Sequence, residues 1–246
     1  MLASFLSTRA KHNSQYIYRK EFYIKSRKGD INMKYNTYLF DFDGTLVDSM
    51  PLFASLMLRV LDENNVKYEK DIIKVITPLG YGGTAKYFAE HFDMQQSRDE
   101  ILATMHRYAY DGYAHTVPAK KNVIETLREL KRRGAELYVL TASPHSVLDV
   151  CLKRLGMFDL FSAIWSCDDF GTTKADPQIY KMAAERIGKP IEEILFLDDN
   201  YNADKTAISA NMKVCGVYDK SSEEYTEEIK RVSDHYIYDF CELLDL

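Results

Sequence analysis

From residue 33 onward, short apolar runs alternate with longer amphipathic stretches. The run Tyr38–Phe40 ends abruptly at Asp41, which is typical of a buried parallel strand followed by a turn. Residues 50–65 then place apolar side chains at helical spacing, which predicts a helix with Pro51 tolerated in its first turn. Further helices are predicted over residues 69–76, 83–92 and 97–111, with a break at residues 77–83.

After Pro118 the pattern alternates strictly between helix and strand. Helices are predicted over residues 121–133, 144–155, 177–187, 203–210 and 223–231, and strands over residues 136–140, 163–166, 194–197, 213–217 and 236–238. Repeated β-α units with short apolar strands predict an α/β fold with a doubly wound parallel sheet. The all-helical segment 49–116 is then a cap inserted between two core segments, 33–48 and 117–246.

Charge is unevenly distributed along the 246 residues. Residues 1–32 carry seven bases and two acids, whereas the remainder has a formal charge of −10. Such an acidic body is unsuited to binding nucleic acid, whose affinity comes mainly from phosphate neutralisation. The basic segment is expected to be a disordered or non-native leader, with a targeting peptide as the alternative.

Two further observations bear on the compartment. No apolar run approaches the roughly 18 residues of a membrane-spanning helix, so no contact with a membrane is expected. The four cysteines lie far apart without metal-binding spacing, which favours the reducing cytoplasm over a disulfide-stabilised secreted protein.

Polar residues follow the predicted strands where those strands end, which is the edge at which such sheets bind ligands. Asp41 and Asp43 flank Phe42, so both carboxylates can face one cleft while Phe42 enters the core. Two adjacent buried carboxylates repel each other unless a cation or a shared proton compensates them. For this segment alone, a solvated turn is the alternative interpretation.

Three later strand ends carry further candidates. Thr141 and Ala142 precede a predicted helix, where a hydroxyl and backbone N–H groups suit a phosphate or, equally, form an ordinary N-cap. Lys174 lies in a loop before the next helix, and a lone lysine is usually a solvated charge. Asp198 and Asp199 follow an apolar strand, and carboxylate oxygens on neighbouring strands are the ligands that Mg²⁺ prefers.

The order of these four signals along the chain is more specific than any one of them. With these residues in this order, the sequence resembles the haloacid dehalogenase-like (HAD) phosphohydrolase superfamily over residues 35–241. Residues 40–49 resemble the first motif of its phosphoglycolate phosphatase-like and β-phosphoglucomutase-like branch. Residues 174–177 read K-A-D-P, which departs from the usual K-P-D-P by one residue and keeps the lysine. The resemblance implies a Rossmann-like core, with segment 49–116 as the helical cap of that branch.

The resemblance also implies roles for the candidate residues. Asp41 is the nucleophile and forms an aspartyl-phosphate, while Asp43 protonates the leaving oxygen and then activates water. Thr141, the N–H of Ala142 and Lys174 bind the transferring phosphoryl group. One Mg²⁺ is expected on the Asp41 carboxylate, the Asp43 main-chain carbonyl and Asp199, with Asp198 as a further ligand or a neighbour of the ligands.

The expected function is Mg²⁺-dependent hydrolysis of a small phosphorylated metabolite by a monomer or homodimer. A β-phosphoglucomutase-like isomerase needs the same motifs and stays open, as does, more remotely, a non-catalytic binding protein on this fold. Tyr81, Gly82 and Gly83 are candidate substrate-selecting residues between two cap helices, because glycine permits close backbone approach. A simple interhelical turn is the alternative there.

Overall fold

The computed structural model describes residues 33–69, 71–76 and 79–246, and one compact body runs from Tyr35 to Leu246. Residues 1–32, where a leader is expected, lie outside the described residues. Six parallel strands form one sheet in the order β3-β2-β1-β4-β5-β6. The strands are β1 (Thr37–Phe40), β2 (Glu136–Thr141), β3 (Ala163–Ser166), β4 (Ile194–Asp198), β5 (Lys213–Val217) and β6 (His235–Ile237). The predicted doubly wound parallel sheet is confirmed.

Two strands at the centre of the sheet are buried along their whole length. Every residue of β1 and of β4 is buried, as expected for parallel strands covered on both faces. Phe40 pairs with Val139 of β2 on one side and with Leu197 of β4 on the other. The residues that follow these three strands therefore meet at one edge of the sheet.

Helices cover both the insertion and the strand connections. Between β1 and β2 lie α1 (Met50–Glu63), α2 (Ile72–Ile76), α3 (Gly80–His91), α4 (Arg98–His115) and α5 (Val123–Arg132). The later helices are α6 (His145–Arg154), α7 (Gln178–Ile187), α8 (Tyr201–Ser209) and α9 (Thr226–Val232), with shorter 3₁₀ turns between elements. Helix α1 packs against α4, and α4 packs against both α3 and α6. None of the helices in the described part is long and apolar enough to cross a membrane.

Helix α4 shows how local sequence sets an element boundary. The Ser97 side chain accepts a hydrogen bond from the Glu100 backbone N–H, and the Glu100 carboxylate accepts one from the Ser97 backbone N–H. This reciprocal capping satisfies two backbone donors that the first turn leaves without partners. Helix α4 therefore begins where the sequence supplies the cap, one residue after the predicted start.

The predicted break at residues 77–83 is wrong for its second half. Helix α3 begins at Gly80, so Tyr81, Gly82 and Gly83 lie in its first turn rather than between two helices. The same helix buries the side chains of Thr84, Ala85 and Phe88. This packing outweighs the low helix propensity of the glycines. The remaining predicted elements agree with the structure apart from small shifts at their ends.

Candidate active site

Asp41 and Asp43 follow β1 directly and face the same side of the chain. Phe42 between them is fully buried and stacks on the Tyr113 ring, with the ring centroids 5.9 Å apart. The Asp41 backbone N–H donates to the Leu197 carbonyl at 2.8 Å, which extends the pairing of β1 with β4 by one residue. Asp41 is therefore held at the end of β4, beside the acids that follow that strand.

Lys174 joins the acids that lie at the ends of β1 and β4. Its Nζ donates to Oδ1 of Asp41 at 2.6 Å and to Oδ2 of Asp198 at 2.7 Å. Burial alone would lower the pKa of Lys174, but the carboxylates of Asp198 and Asp41 raise it well above its ordinary value. The lysine is thus a largely buried ammonium held between two acids, with 14% of its side chain exposed, and not the solvated charge that a lone lysine usually is.

Three carboxylates gather at this point. Oxygen atoms of Asp41, Asp198 and Asp199 all lie within 4.8 Å of one another, and all three residues are buried. Burial raises the pKa of Asp41 to about 7, with Asp198 and Asp43 acting in the same direction and Lys174 against them. Burial likewise raises the pKa of Asp199 well above its usual range. One ammonium does not balance three acids, and the all-oxygen donor set fits a hard divalent cation such as Mg²⁺.

Asp199 is positioned by the turn after Asp43. A Cβ at Gly44 would lie 2.5 Å from Oδ2 of Asp199, so only glycine allows this approach. The Thr45 hydroxyl donates to Oδ1 of Asp199 at 3.2 Å. Asp198 instead uses Oδ2 for Lys174 and accepts the Asn200 backbone N–H on Oδ1 at 2.8 Å. These contacts favour Asp199 as a cation ligand and Asp198 as the residue that fixes the lysine.

Lys120 fixes the same turn from its other side. Its Nζ donates to the Gly44 carbonyl at 2.5 Å, to the Tyr218 carbonyl at 2.6 Å and to Oδ2 of Asp219 at 2.9 Å. The lysine therefore connects the turn after β1 with the residues that follow β5.

Asp43 lies within a ring of hydroxyl groups. Its Oδ1 accepts hydrogen bonds from the Ser49 hydroxyl at 2.7 Å and from the Tyr113 hydroxyl. Its Oδ2 accepts one from the Ser143 hydroxyl at 2.5 Å. Sequence reasoning found Asp43 but did not pair it with these three donors, because they come from three separate segments of the chain.

Thr141 ends β2 and is buried beside this group. Its Oγ1 accepts the Ser143 backbone N–H at 3.1 Å, which shapes the turn before α6. Ala142, between them, is exposed. The hydroxyl of Thr141 and the backbone N–H of Ala142 therefore lie at the same sheet edge as the acids.

Tyr81 lies in the helical insertion rather than at the end of a strand. Its ring stacks on Phe53 with centroids 5.0 Å apart, and its hydroxyl is buried without a hydrogen-bond partner in the described residues. Burial, together with the Asp43 charge, raises the pKa of Tyr81 above its ordinary value. Gly82 and Gly83 follow in the same helical turn, and neither forms a hydrogen bond with the acids in the described part of the chain.

A further acid escaped the sequence analysis. Asp204, in the first turn of α8, is fully buried, and its Oδ1 has no partner among the described residues. Burial, together with Asp198 and Asp199, raises its pKa well above the usual range. The sequence does place Asp204 next to Ala203 and near Ala207, on a face of the helix that is buried. An aspartate on such a face is unusual, because Asp is seldom fully buried without a partner, and this position could have marked it as a candidate.

A family model for haloacid dehalogenase-like hydrolases matches residues 35–211, well over half of the 246-residue chain. The chain belongs to the haloacid dehalogenase-like hydrolase family. The resemblance stated from the four motifs is confirmed.

Several proteins of known function or structure are similar to this HAD protein. It is 29% identical to pyrophosphatase PpaX of Bacillus velezensis over 182 residues, which are 73% of this chain and 81% of the relative. Two solved structures share the fold. A HAD family hydrolase of Deinococcus radiodurans, with bound phosphate and sodium, has a TM-score of 0.70 and 22% identity, covering 86% of this chain and 94% of that one. A predicted phosphoglycolate phosphatase of Haemophilus somnus has a TM-score of 0.72 and 24% identity, covering 87% and 98%.

Proposed function

We propose that this HAD protein is a Mg²⁺-dependent phosphatase that hydrolyses a small phosphomonoester through an aspartyl-phosphate. The observation that carries the proposal is the buried Asp41, which contacts an ammonium and lies within reach of two further acids. A carboxylate can attack an anionic phosphate only where positive charge compensates both groups. Lys174 supplies one such charge.

In the first step, an oxygen of Asp41 attacks phosphorus and the bond from phosphorus to the leaving oxygen breaks. Asp43 gives its proton to that oxygen, so the product leaves as an alcohol. The Thr141 hydroxyl, the Ala142 backbone N–H and Lys174 bind the phosphoryl oxygens, whose charge grows in the transition state.

In the second step, water attacks the phosphorus of the aspartyl-phosphate. Asp43, now a carboxylate, takes a proton from that water, and the bond between phosphorus and Asp41 breaks. Inorganic phosphate leaves, and both aspartates return to their starting states. The same pair of residues therefore serves both halves of the reaction.

The metal site in this proposal consists of Asp41, Asp199 and the main-chain carbonyl of Asp43, with Asp198 beside it. A bound Mg²⁺ would neutralise charge on Asp41 and on the phosphate, which lets the two anions approach. Burial raises the pKa of both Asp41 and Asp199, and the neighbouring carboxylates add to the effect, so a bound cation would favour the charged form of these ligands.

Segment 49–116 is proposed as a cap on a core built from segments 33–48 and 117–246. Both ends of the insertion leave from the strand-end edge of the sheet, so its helices lie above the acids. A cap of this size encloses a small chamber, which favours compact phosphomonoesters such as phosphoglycolate or a sugar phosphate. Tyr81, Gly82 and Gly83 are proposed to contact that substrate.

The proposal is tested by phosphate release from a panel of small phosphomonoesters, with EDTA and with added Mg²⁺. Asp41→Asn should keep the fold and lower turnover by several orders of magnitude, and a brief acid quench of the wild type should trap an acid-stable, hydroxylamine-labile phosphoenzyme. Residual Asp41→Asn turnover above about a hundredth of wild type would contradict the nucleophile assignment. A product analysis that finds phosphate retained on a sugar would indicate the isomerase instead.

The similarity to PpaX supports a second substrate, inorganic pyrophosphate. Its leaving group is phosphate, which needs less help from a proton donor than an alkoxide does. Pyrophosphate therefore belongs in the panel, and its turnover should be less sensitive to Asp43→Asn than that of an alkyl ester.

A further inference from the structure

The three hydroxyl donors on Asp43 are divided unequally between its two oxygens. Among the described residues, Oδ1 accepts hydrogen bonds from the Ser49 and Tyr113 hydroxyls, whereas Oδ2 accepts one from the Ser143 hydroxyl alone. A carboxylate oxygen has two lone pairs, so Oδ1 is fully engaged by its two donors. A serine hydroxyl can donate or accept, so Ser143 tolerates a proton on Oδ2 by turning its own hydrogen away.

Tyr113 is held more rigidly than an ordinary tyrosine on a helix. Its side chain is buried, and its ring stacks on Phe42, the residue between the two aspartates. Its main-chain carbonyl accepts a hydrogen bond from Nε of Arg154 at 3.0 Å, which ties the end of α4 to α6. The position of the hydroxyl is thus set by contacts on both the ring and the backbone.

The two donors on Oδ1 come from opposite ends of the helical insertion. Ser49 is the residue before α1, and Tyr113 lies in the last turn of α4. Ser49 is the last residue of the first motif, whereas Tyr113 lies outside all four motifs, and neither donates a hydrogen bond to Lys174 in the described part of the structure.

From these contacts we infer that Tyr113 is a positioning residue for Asp43, an inference that rests on the proposed function. The Tyr113 hydroxyl anchors Oδ1 and turns Oδ2 toward the leaving group, so Oδ2 is the atom that exchanges the proton. Without the hydroxyl, the carboxyl rotates about its last bond and the proton is less often aligned with the leaving oxygen. We expect substrate binding to change little, because the Tyr113 hydroxyl donates to Asp43 and not to the proposed phosphate-binding residues.

The test compares Tyr113→Phe with wild type on two substrates, an alkyl phosphomonoester and 4-nitrophenyl phosphate. Phenylalanine keeps the stacking on Phe42 and removes only the hydroxyl. We expect kcat for the alkyl ester to fall about tenfold or more, as for a lost hydrogen bond to a charged group, with KM within about threefold. Turnover of the aryl ester, whose leaving group needs no proton, should fall less than about threefold.

Tyr108→Phe is the matched control. Tyr108 lies on the same helix and its hydroxyl also donates to a carboxylate, that of Glu63, remote from the candidate site. This variant should leave both substrates at wild-type rates. Equal losses of Tyr113→Phe on both esters, no loss at all, or the same loss in Tyr108→Phe would each overturn the inference.

Two further variants separate this inference from the proposed function. Asp43→Asn should show the same leaving-group dependence more strongly, and adding Tyr113→Phe to it should cost nothing more. If Asp43→Asn slows both esters equally, the acid–base role in the proposed function fails. If Asp43→Asn slows the alkyl ester more than the aryl ester and Tyr113→Phe does not, only the positioning role of Tyr113 fails. If Tyr113→Phe does not fold, Ser49→Ala tests the same anchoring of Oδ1. It must then lower kcat for the alkyl ester more than for the aryl ester.

Discussion

Gly44 and Asp199 lie in direct contact, and the contact leaves no room for a side chain at position 44. A Cβ there would be 2.5 Å from Oδ2 of Asp199. The φ angle of Gly44 is +74°, a conformation that L-residues with a side chain rarely adopt. The turn that follows Asp43 therefore requires glycine for two separate reasons.

Gly44→Ala should displace Asp199 and weaken metal binding. We expect the Mg²⁺ concentration for half-maximal activity to rise about tenfold or more, the usual cost of disturbing a ligand's surroundings. Gly188→Ala is the control, because Gly188 has a φ of +77° with no atom near the site of its absent Cβ. It should cost about 1 kcal/mol of unfolding free energy from backbone strain and leave the Mg²⁺ requirement unchanged. Equal Mg²⁺ dependence in both variants would contradict the Gly44–Asp199 contact.

Lys174→Met should be severe, because Lys174 lies between two buried carboxylates. Removing one partner of a buried ion pair costs about 3–5 kcal/mol, since the remaining charge stays buried. We expect a loss of this size in the free energy of unfolding without metal, measured by urea denaturation, together with loss of phosphatase activity. Lys213→Met breaks a more exposed pair with Asp234, which solvent screens, and should cost much less. Similar costs for the two variants would show that Lys174 is not buried as described.

The stabilisation by Mg²⁺ should grow with pH. In the metal-free protein the pKa of Asp41 is about 7, raised from its usual value near 4 mainly by burial, and that of Asp199 is also raised. The folded state therefore holds protons that the unfolded state has lost, so these two groups make folding less favourable as pH rises from about 4 to 7. A bound cation favours the carboxylate form and removes this penalty.

Urea denaturation at pH 5 and pH 7.5, with EDTA and with saturating Mg²⁺, measures this effect. The difference between the Mg²⁺ and EDTA curves should be larger at pH 7.5, and groups remote from the acids cancel in that difference. A Mg²⁺ increment that is equal at both pH values would argue against a cation at these acids.

Lys120→Met should loosen the turn that holds Gly44. The substitution leaves two carbonyls and the buried Asp219 without their shared donor, a loss of about 2–4 kcal/mol in unfolding free energy. Lys121→Met is the neighbouring control, because the Lys121 side chain is 82% exposed in its pair with Asp239. It should cost less than about 1 kcal/mol. Thermal unfolding of both variants in the same buffer gives the comparison.

The sequence predicted the features that depend on local hydrophobic pattern and on the order of the strands, namely the core strands and the residues at their ends. Short apolar runs that end in polar residues located β1, β2 and β4, and parallel pairing then placed Asp41, Thr141 and Asp198 at one edge. Lys174 was found only because its place in the motif order matched a known family, since its own segment carries no periodic signal. The structure shows why a lysine lies at this position: its ammonium donates hydrogen bonds to the buried carboxylates of Asp41 and Asp198.

The features that the sequence did not predict depend on tertiary packing. Gly82 and Gly83 read as a break because their propensity is low, whereas the buried Phe88 and its neighbours hold them in a helix. The contact between Tyr113 and Asp43 joins residues from two elements whose relative placement no local pattern encodes. Nothing in the sequence distinguishes Lys120 from a surface lysine, because its three acceptors come from distant parts of the chain.

The parallel sheet order also determines when the protein becomes active during folding. Asp41 and Asp198 meet only after β1 and β4 have paired, and the chain between these two strands includes the whole helical insertion. Such non-local pairing closes a long loop and forms slowly compared with helices. Recovery of phosphatase activity on dilution from urea therefore reports the joining of β1 and β4, and it should lag behind the far-ultraviolet circular dichroism signal that the helices dominate.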